Sequence, residues 1–174
     1  MQEHGLKISE LVTLFNLEVL NRGSDYDTAL LTITDVNRPG LQFHSFYDYF
    51  DPRRLQVLGK AEITYLKGLT TEQRRKCFDD LFLYDIPALV ISRGLDCFPE
   101  CLESARVHER TLLRTEETTV EFTSHTIEYL NRVLAPCVTR HGVLLDISGE
   151  GVMITGDSGI GKSESAIELI MRGH

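Results

Sequence analysis

Apolar residues along the chain alternate between two spacings. Ile8, Leu11, Val12 and Phe15 recur at i, i+3, i+4 and i+7, which predicts a first helix over 6–15. Short apolar runs predict strands at Leu17–Leu20, Ala29–Ile33, Leu55–Leu58, Ala88–Ile91 and Thr111–Leu113. Between them the helical spacing returns. Gly59-Lys60 opens one helix. Thr70 and Gln73 have the spacing of a capping box, ahead of a helix whose apolar face carries Cys77, Phe78, Leu81 and Phe82. Pro99 suits the first position of the next helix. Thr118 and Glu121 form a second capping box. It starts a long helix with Ile127, Leu130 and Leu134 on its inner face, and Pro136 ends that helix. Asn21–Asp27 reads as a turn and Asn37-Arg38-Pro39-Gly40 as a loop.

Strands alternating with helices predict an amino-terminal α/β domain with a largely parallel sheet over residues 1–133. No internal repeat or low-complexity linker interrupts it. The alternation stops near Ala135-Pro136, and residues 134–174 read as the start of a second domain. There Val143–Ile147, a three-residue turn Ser148-Gly149-Glu150 and Gly151–Thr155 predict a hairpin. A helix follows over Ser163–Arg172, with Ala166, Ile167 and Ile170 on one face and Gly173 as its stop.

The eight residues between that hairpin and that helix are Gly156-Asp157-Ser158-Gly159-Ile160-Gly161-Lys162-Ser163, a match to the phosphate-loop pattern G-x-x-x-x-G-K-[ST]. Glycines let the backbone curl until successive N–H groups face phosphate oxygens. Lys162 adds a point charge for the outer phosphates. The Ser163 hydroxyl can join the shell of a Mg²⁺ ion that keeps several waters. A strand before and a helix N-terminus after are the context this chemistry requires. Gly156 to Ser163 are therefore the nucleotide-binding candidates, with Ser163 the metal candidate. Asp157 is an unusual acid for an anion pocket: it either turns outward, the simpler reading, or titrates.

Pairing Ile147 with Gly151 places Val143 opposite Thr155 and His141 opposite Asp157. A slip of a residue or two still leaves His141 near bound phosphates. His141 is thus a candidate for acid–base or electrostatic work on a transferring phosphoryl group, against the alternative of a histidine capping a strand end beside Gly142.

Composition narrows the setting. Net charge is −8 with no Lys/Arg-rich block, which argues against a nucleic-acid or anionic-membrane partner. No apolar run of about 18 residues and no signal-peptide pattern appear, so a cytoplasmic protein is expected. Cys77, Cys97, Cys101 and Cys137 show no C-x-x-C. Cys97, Cys101 and His108 could be imagined as metal ligands, but buried or half-buried thiols fit better. The aromatic run from Phe43 to Phe50 lacks interleaved Lys/Arg, so core packing explains it better than base stacking. Phosphoryl transfer also needs a carboxylate for the metal and a group that positions the nucleophile. Neither follows Ser163 before His174. The expectation is an intact first domain plus the opening of a second, which alone binds phosphate weakly and does not turn over.

The sequence resembles HPr kinase/phosphorylase. The resemblance is strongest in Leu134-Ala135-Pro136, in His141-Gly142-Val143-Leu144-Leu145-Asp146-Ile147, through the loop to Glu164, and in Met171-Arg172-Gly173-His174. Weaker echoes lie in Asn37–Gly40, Leu58-Gly59-Lys60 and Pro87–Arg93. It implies a bifunctional enzyme of bacterial carbon-source regulation. Such an enzyme phosphorylates a serine of the phosphocarrier HPr with ATP or pyrophosphate and removes that phosphate by phosphorolysis. The resemblance also implies a homohexamer, an amino-terminal domain similar to part of the muramyl ligases, nucleotide on Gly156–Ser163, Mg²⁺ on Ser163, and His141 and Lys162 as catalytic residues. The family's paired aspartates, second signature loop and later arginine would follow His174. Two other classes remain open: a different phosphate-loop small-molecule kinase, and a non-catalytic assembly or regulatory module.

Overall fold

The computed structural model describes residues 5–173. The chain divides into two compact units between Ala135 and Pro136.

The first unit is built on a five-stranded sheet. Its strands are β2 (Glu18–Asn21), β4 (Val36–Asn37), β5 (Leu55–Leu58), β6 (Leu89–Ile91) and β7 (Leu112–Arg114), in the order β2-β7-β6-β5-β4. The steps from β4 to β7 are parallel, and β2 closes one edge antiparallel to β7. A separate two-residue antiparallel pair joins β1 (Leu6–Lys7) to β3 (Leu30–Leu31). The helices are α1 (Ile8–Leu14), α2 (Lys60–Lys67), α3 (Thr71–Phe82), α4 (Pro99–Val107) and α5 (Thr119–Val133).

Successive side chains of a strand point to opposite faces, so a sheet buried on both faces needs two helical layers. Leu58, Leu89, Ile91 and Leu112 pack with Ile63 and Leu66 of α2, Phe78, Leu81 and Phe82 of α3, and Ala105 of α4. Leu55, Val57, Val90 and Leu113 pack instead with Ile8 and Leu11 of α1 and Phe122 and Leu130 of α5. Both capping boxes form. The Gln73 N–H donates to Thr70 Oγ1 and the Thr70 N–H donates back to Gln73 Oε1 at 2.9 Å. Thr118 and Glu121 do the same for α5.

The mixed α/β architecture with a mostly parallel sheet is the one the apolar pattern predicts. The differences are local. Within 29–33 only Leu30–Leu31 is strand. Strand β4 ends inside the stretch read as loop: it has two residues and no apolar run to betray it. Beside its parallel pairing with β5 it makes a side-chain contact, Asn37 Nδ2 donating to Gln56 Oε1 at 2.7 Å, which satisfies a polar residue buried in β5. The inner face of α5 carries Phe122, Thr126 and Leu130, while Ile127 and Leu134 are half-buried. The face is turned because Phe122 reaches the sheet near the helix start.

Arg74 on α3 ties three helices together. Its guanidinium donates to the Leu69 carbonyl just past α2 at 2.8 Å and to Glu100 Oε1 at the start of α4 at 2.8 Å. It also lies 5.0 Å from the centroid of the Phe98 ring. Glu100 is 5% exposed, and the Arg74 hydrogen bond holds its carboxyl below the usual carboxylate range.

The second unit contains a hairpin of β8 (Gly142–Ile147) and β9 (Glu150–Thr155), followed by α6 (Lys162–Met171). The observed register pairs Ile147 with Glu150 and Gly142 with Thr155, one residue away from the predicted pairing of Ile147 with Gly151. The turn has two residues, not three. Ser148 and Gly149 both sit at positive φ, 57° and 88°, the geometry whose twist matches a two-residue hairpin. The Gly149 N–H donates to Asp146 Oδ1 at 2.8 Å. On α6, Ala166 is buried but Ile167 and Ile170 are each 57% exposed, so the face predicted to point inward is covered only at Ala166. One two-stranded hairpin offers too little surface to cover more.

A depressed folded pKa stabilises the protein fully above the unfolded carboxylate value, about 4.3, and the gain fades as pH falls through the folded value. Glu100→Gln should therefore melt lower than wild type at neutral pH and converge on it towards acid. Thermal unfolding followed by circular dichroism from about pH 7 to pH 3 reads this. A constant gap across that range removes Glu100 from the pH response.

Candidate phosphate-binding site

The chain leaves β9 at Thr155 and turns through Gly156, Gly159 and Gly161, at φ 154°, 83° and 96°, before entering α6. Gly161 matters most. It is the N-cap residue of α6 in a left-handed conformation, and it has no side chain to accept the first helical N–H groups. Helices α3 and α5 cap those groups with a threonine; among the described residues, α6 leaves the amides of Lys162, Ser163 and Glu164 without an intrahelical or side-chain partner. Together with the positive end of the helix dipole they form a seat for an anion.

Lys162 closes the loop on itself. Its Nζ donates to the Gly156 carbonyl at 2.8 Å and to the Asp157 carbonyl at 2.6 Å. An ammonium has three N–H groups, so one remains for an external oxygen. Asp157 contributes its backbone to this clasp. Its carboxylate is exposed and makes no hydrogen bond or ion pair among the described residues. Ser158, Gly159 and Ile160 form the exposed crest of the loop, with Ile160 67% exposed. The Ser163 hydroxyl, in the first turn of α6, is exposed. A hard neutral oxygen suits Mg²⁺, but among the described residues no group of three or more His, Cys, Asp or Glu could hold a metal. Ser163 would be one ligand beside phosphate oxygens and water.

His141 stands one residue before β8. At Gly142 the two strands lie so close that an added Cβ would fall 2.6 Å from the Ile154 carbonyl oxygen. One step outward along the ladder, His141 comes opposite Gly156 instead of Asp157. Both residues line an open cleft of about 460 Å³ with Thr139, Arg140 and Thr155. The structure thus gathers His141 and the first loop glycine on one cleft, and Lys162 reaches that glycine through its carbonyl. Asp157, Ser158, Gly159, Ile160, Gly161, Lys162 and Ser163 do not line this cleft. Arg140 and Thr139 went unnoticed in the sequence; their place directly before His141, at the same strand end, is the signal that would have found them.

The cysteine and histidine set in the first unit has other partners. His108 Nε2 lies 3.4 Å from Asp79 Oδ1, and Cys101 is buried. A hydrogen bond with Cys101 pulls the half-buried Cys97 thiol down, while burial pushes Cys101 up.

Fold and site define a chain of two α/β parts, the second carrying an anion seat between a strand and a helix. The chain belongs to the HPr kinase/phosphorylase family: residues 6–130 match the HPr Serine kinase N terminus and residues 132–174 the HPr Serine kinase C-terminal domain. It is 47% identical over 169 residues to an HPr kinase/phosphorylase of Alkaliphilus metalliredigens, covering 97% of this chain and 54% of that protein. It is 45% identical over 170 residues to one of Clostridium perfringens, covering 98% and 55%. The chain therefore spans about half the length of the curated relatives it matches. A crystal structure of the CBS and DRTGG domains of the regulatory region of Clostridium perfringens pyrophosphatase, complexed with the activator diadenosine tetraphosphate, is similar in fold. Its TM-score is 0.51 at 15% identity, over 73% of this chain and 49% of that one. Among the described residues no helix is long and apolar enough to cross a membrane.

An L-residue in the Gly161 conformation is strained by about 1–2 kcal/mol, and relaxing that strain moves the amides. Gly161→Ala should weaken Mg²⁺–pyrophosphate binding by about tenfold in isothermal titration calorimetry. Gly151→Ala, where an added Cβ has nothing within 4 Å, should leave it unchanged. Equal affinities in both variants would exclude the Gly161 amides from the seat.

Proposed function

We propose that the protein is a bifunctional kinase and phosphorylase that acts on a serine of HPr in bacterial carbon-source regulation. It uses ATP or pyrophosphate with Mg²⁺ and works in the cytoplasm as a homohexamer. Membership of the family supports the kinase class and HPr as partner. One observation carries the chemistry: an uncapped helix N-terminus, a lysine clasping the loop and an imidazole beside the first loop glycine all belong to one unit.

In this reading the amides of Gly161–Glu164 and the remaining Lys162 N–H hold the donor's phosphates. Little covalent work falls to the protein, because phosphoryl transfer depends mainly on placement and charge neutralisation. Mg²⁺, when bound, neutralises phosphate charge, and the Ser163 hydroxyl would be its ligand from this chain. In the forward direction the serine oxygen attacks the terminal phosphorus and loses its proton, the bond from that phosphorus to the donor's bridging oxygen breaks, and ADP, or inorganic phosphate when pyrophosphate is the donor, leaves. In reverse, an oxygen of inorganic phosphate attacks phosphoserine. The P–O bond to serine breaks, the serine oxygen takes up a proton, and pyrophosphate leaves. His141, at the rim, carries the proton between attacking and leaving oxygens. The first unit, with its own sheet and two cores, serves assembly or regulation.

The test uses full-length protein with ATP and purified HPr, then phosphorylated HPr with inorganic phosphate. Phospho-HPr in the first reaction and pyrophosphate in the second are expected. Transfer to a small molecule but not to HPr would overturn the reading. Lys162→Ala should reduce both directions by at least about a thousandfold, because both pass through the same phosphates. Turnover within about tenfold of wild type would remove Lys162 from the site.

A further inference from the structure

Cys97 and Cys101 stand four residues apart where the chain of the first unit enters α4. The N-cap residue between them, Phe98, is extended (φ −68°, ψ 141°), and Pro99 opens the helix behind it. That reversal folds the residue before the cap back over the first turn, where a hydrophobic staple commonly closes. Here a sulfur takes that place. The two thiols hydrogen-bond to one another, and both pack against the same core, Cys101 1% exposed and Cys97 half-buried. No side chain caps the first amides of α4. As a thiol, Cys97 donates to the Phe98 carbonyl at 3.4 Å. The Cys101 hydrogen bond does most to lower its pKa, and Arg114 of β7 and the Leu102 N–H add to it, against burial and Glu100. The other cysteines differ. Burial pushes the Cys77 thiol up, and that thiol donates to the Phe43 carbonyl at 3.4 Å. Cys137 is exposed in the second unit.

A thiolate, not a thiol, attacks peroxides, and a helix N-terminus with an arginine nearby favours the thiolate. A second thiol in contact with the first decides what the oxidised sulfur becomes. We infer that Cys97 and Cys101 are a redox modification site, at which a hydroperoxide oxidises Cys97 and Cys101 then closes a reversible disulfide with it. In the first step the Cys97 sulfur attacks a peroxide oxygen. The O–O bond breaks, hydroxide or alkoxide leaves with the electron pair, and Cys97 becomes a sulfenic acid. In the second step the Cys101 sulfur attacks the Cys97 sulfur. The S–S bond forms, the S–O bond breaks, and the departing hydroxide takes the Cys101 proton and leaves as water. The two sulfurs together lose two electrons and the peroxide gains them. Position divides the labour: Cys97 is open enough to meet a small oxidant, and Cys101 is enclosed and serves as its partner. Closing the disulfide stops Cys97 at a state that a thiol can reduce, short of sulfinic acid. The site lies in the first unit and is independent of the proposed phosphoryl transfer.

The experiment uses the whole chain with Cys137→Ser, which removes the exposed thiol of the second unit. The protein is freed of reductant and treated with hydrogen peroxide, with free glutathione as an internal standard. Trypsin cleaves after Arg93 and after Arg106, so the peptide Gly94–Arg106 carries both cysteines. In mass spectrometry that peptide should lose two hydrogens, resist iodoacetamide and recover both thiols in dithiothreitol, while Cys77 stays reduced. Cys101→Ala, which keeps a small apolar group in the core, should leave a sulfenic acid on Cys97 that dimedone traps. Cys97→Ala should slow oxidation of Cys101 by at least about tenfold. Two intact thiols in Gly94–Arg106 at a dose that oxidises the glutathione overturn the inference. So does sulfinic acid on Cys97 beside an unmodified Cys101. Should Cys101→Ala fail to fold, the parent protein decides: limiting iodoacetamide should label Cys97 at least about tenfold faster than Cys77, and equal rates overturn Cys97 as the thiol attacked.

Discussion

The arrangement of the second unit depends on one close approach of two backbones. At Gly142 the strands β8 and β9 meet with no space for a side chain, and the pair Gly142–Thr155 is the last rung of the ladder. Beyond it one strand continues into His141 and the other into Gly156. Backbone pairing up to that rung therefore brings His141 and Gly156 to one cleft. This is a firmer constraint than two long side chains finding each other across a cleft would be. The hairpin register in turn depends on the turn. A two-residue turn with both residues at positive φ sets which rung comes last, and Ser148-Gly149 can adopt it while a β-branched pair could not.

The loop is then tightened from inside. Lys162 bonds to carbonyls five and six residues earlier, drawing the beginning of the loop to the start of the helix. Those carbonyls would otherwise be free to rotate the peptide planes and swing their N–H groups away from the seat. The same lysine thus shapes the cradle and supplies charge to it. The absence of a side-chain cap on α6 follows from the same logic. A threonine at position 161 would satisfy an amide that the site keeps for a ligand, and α3 and α5, which have no such task, carry threonines at that position.

The first unit shows how far periodicity alone reaches. β6 lies in an unbroken apolar run, and β5 and β7 are apolar except at Gln56 and Arg114, because helices cover both faces, while α3 and α5 announce themselves by capping boxes. β4 does not: two residues, paired to β5 and tied to it by an asparagine–glutamine contact, leave no pattern in the sequence, because the partner lies nineteen positions away. The Arg74 tie was illegible for the same reason, since Arg74 and Glu100 look like surface charges until three helices converge. In the site, the glycine loop could be read because each glycine has a local conformational cause. The histidine's neighbour could not be read to the residue, because Ser-Gly-Glu permits a two- or a three-residue turn and each gives a different rung. Arg140 was missed because a single arginine carries no local signal; only the fold shows that it lines the cleft beside His141.

An anion site in a chain of net charge −8 requires explanation, and distance provides it. Charges more than about 8–10 Å away are largely screened at ordinary ionic strength, whereas amide dipoles and a lysine at the start of α6 act at short range. The excess acid can remain elsewhere: Glu168 is neutralised by Arg172, and Asp146 is occupied by the turn. An overall negative charge disfavours nonspecific association with polyanions such as nucleic acid, so attraction for an anion is confined to short-range groups such as the uncapped amides of α6.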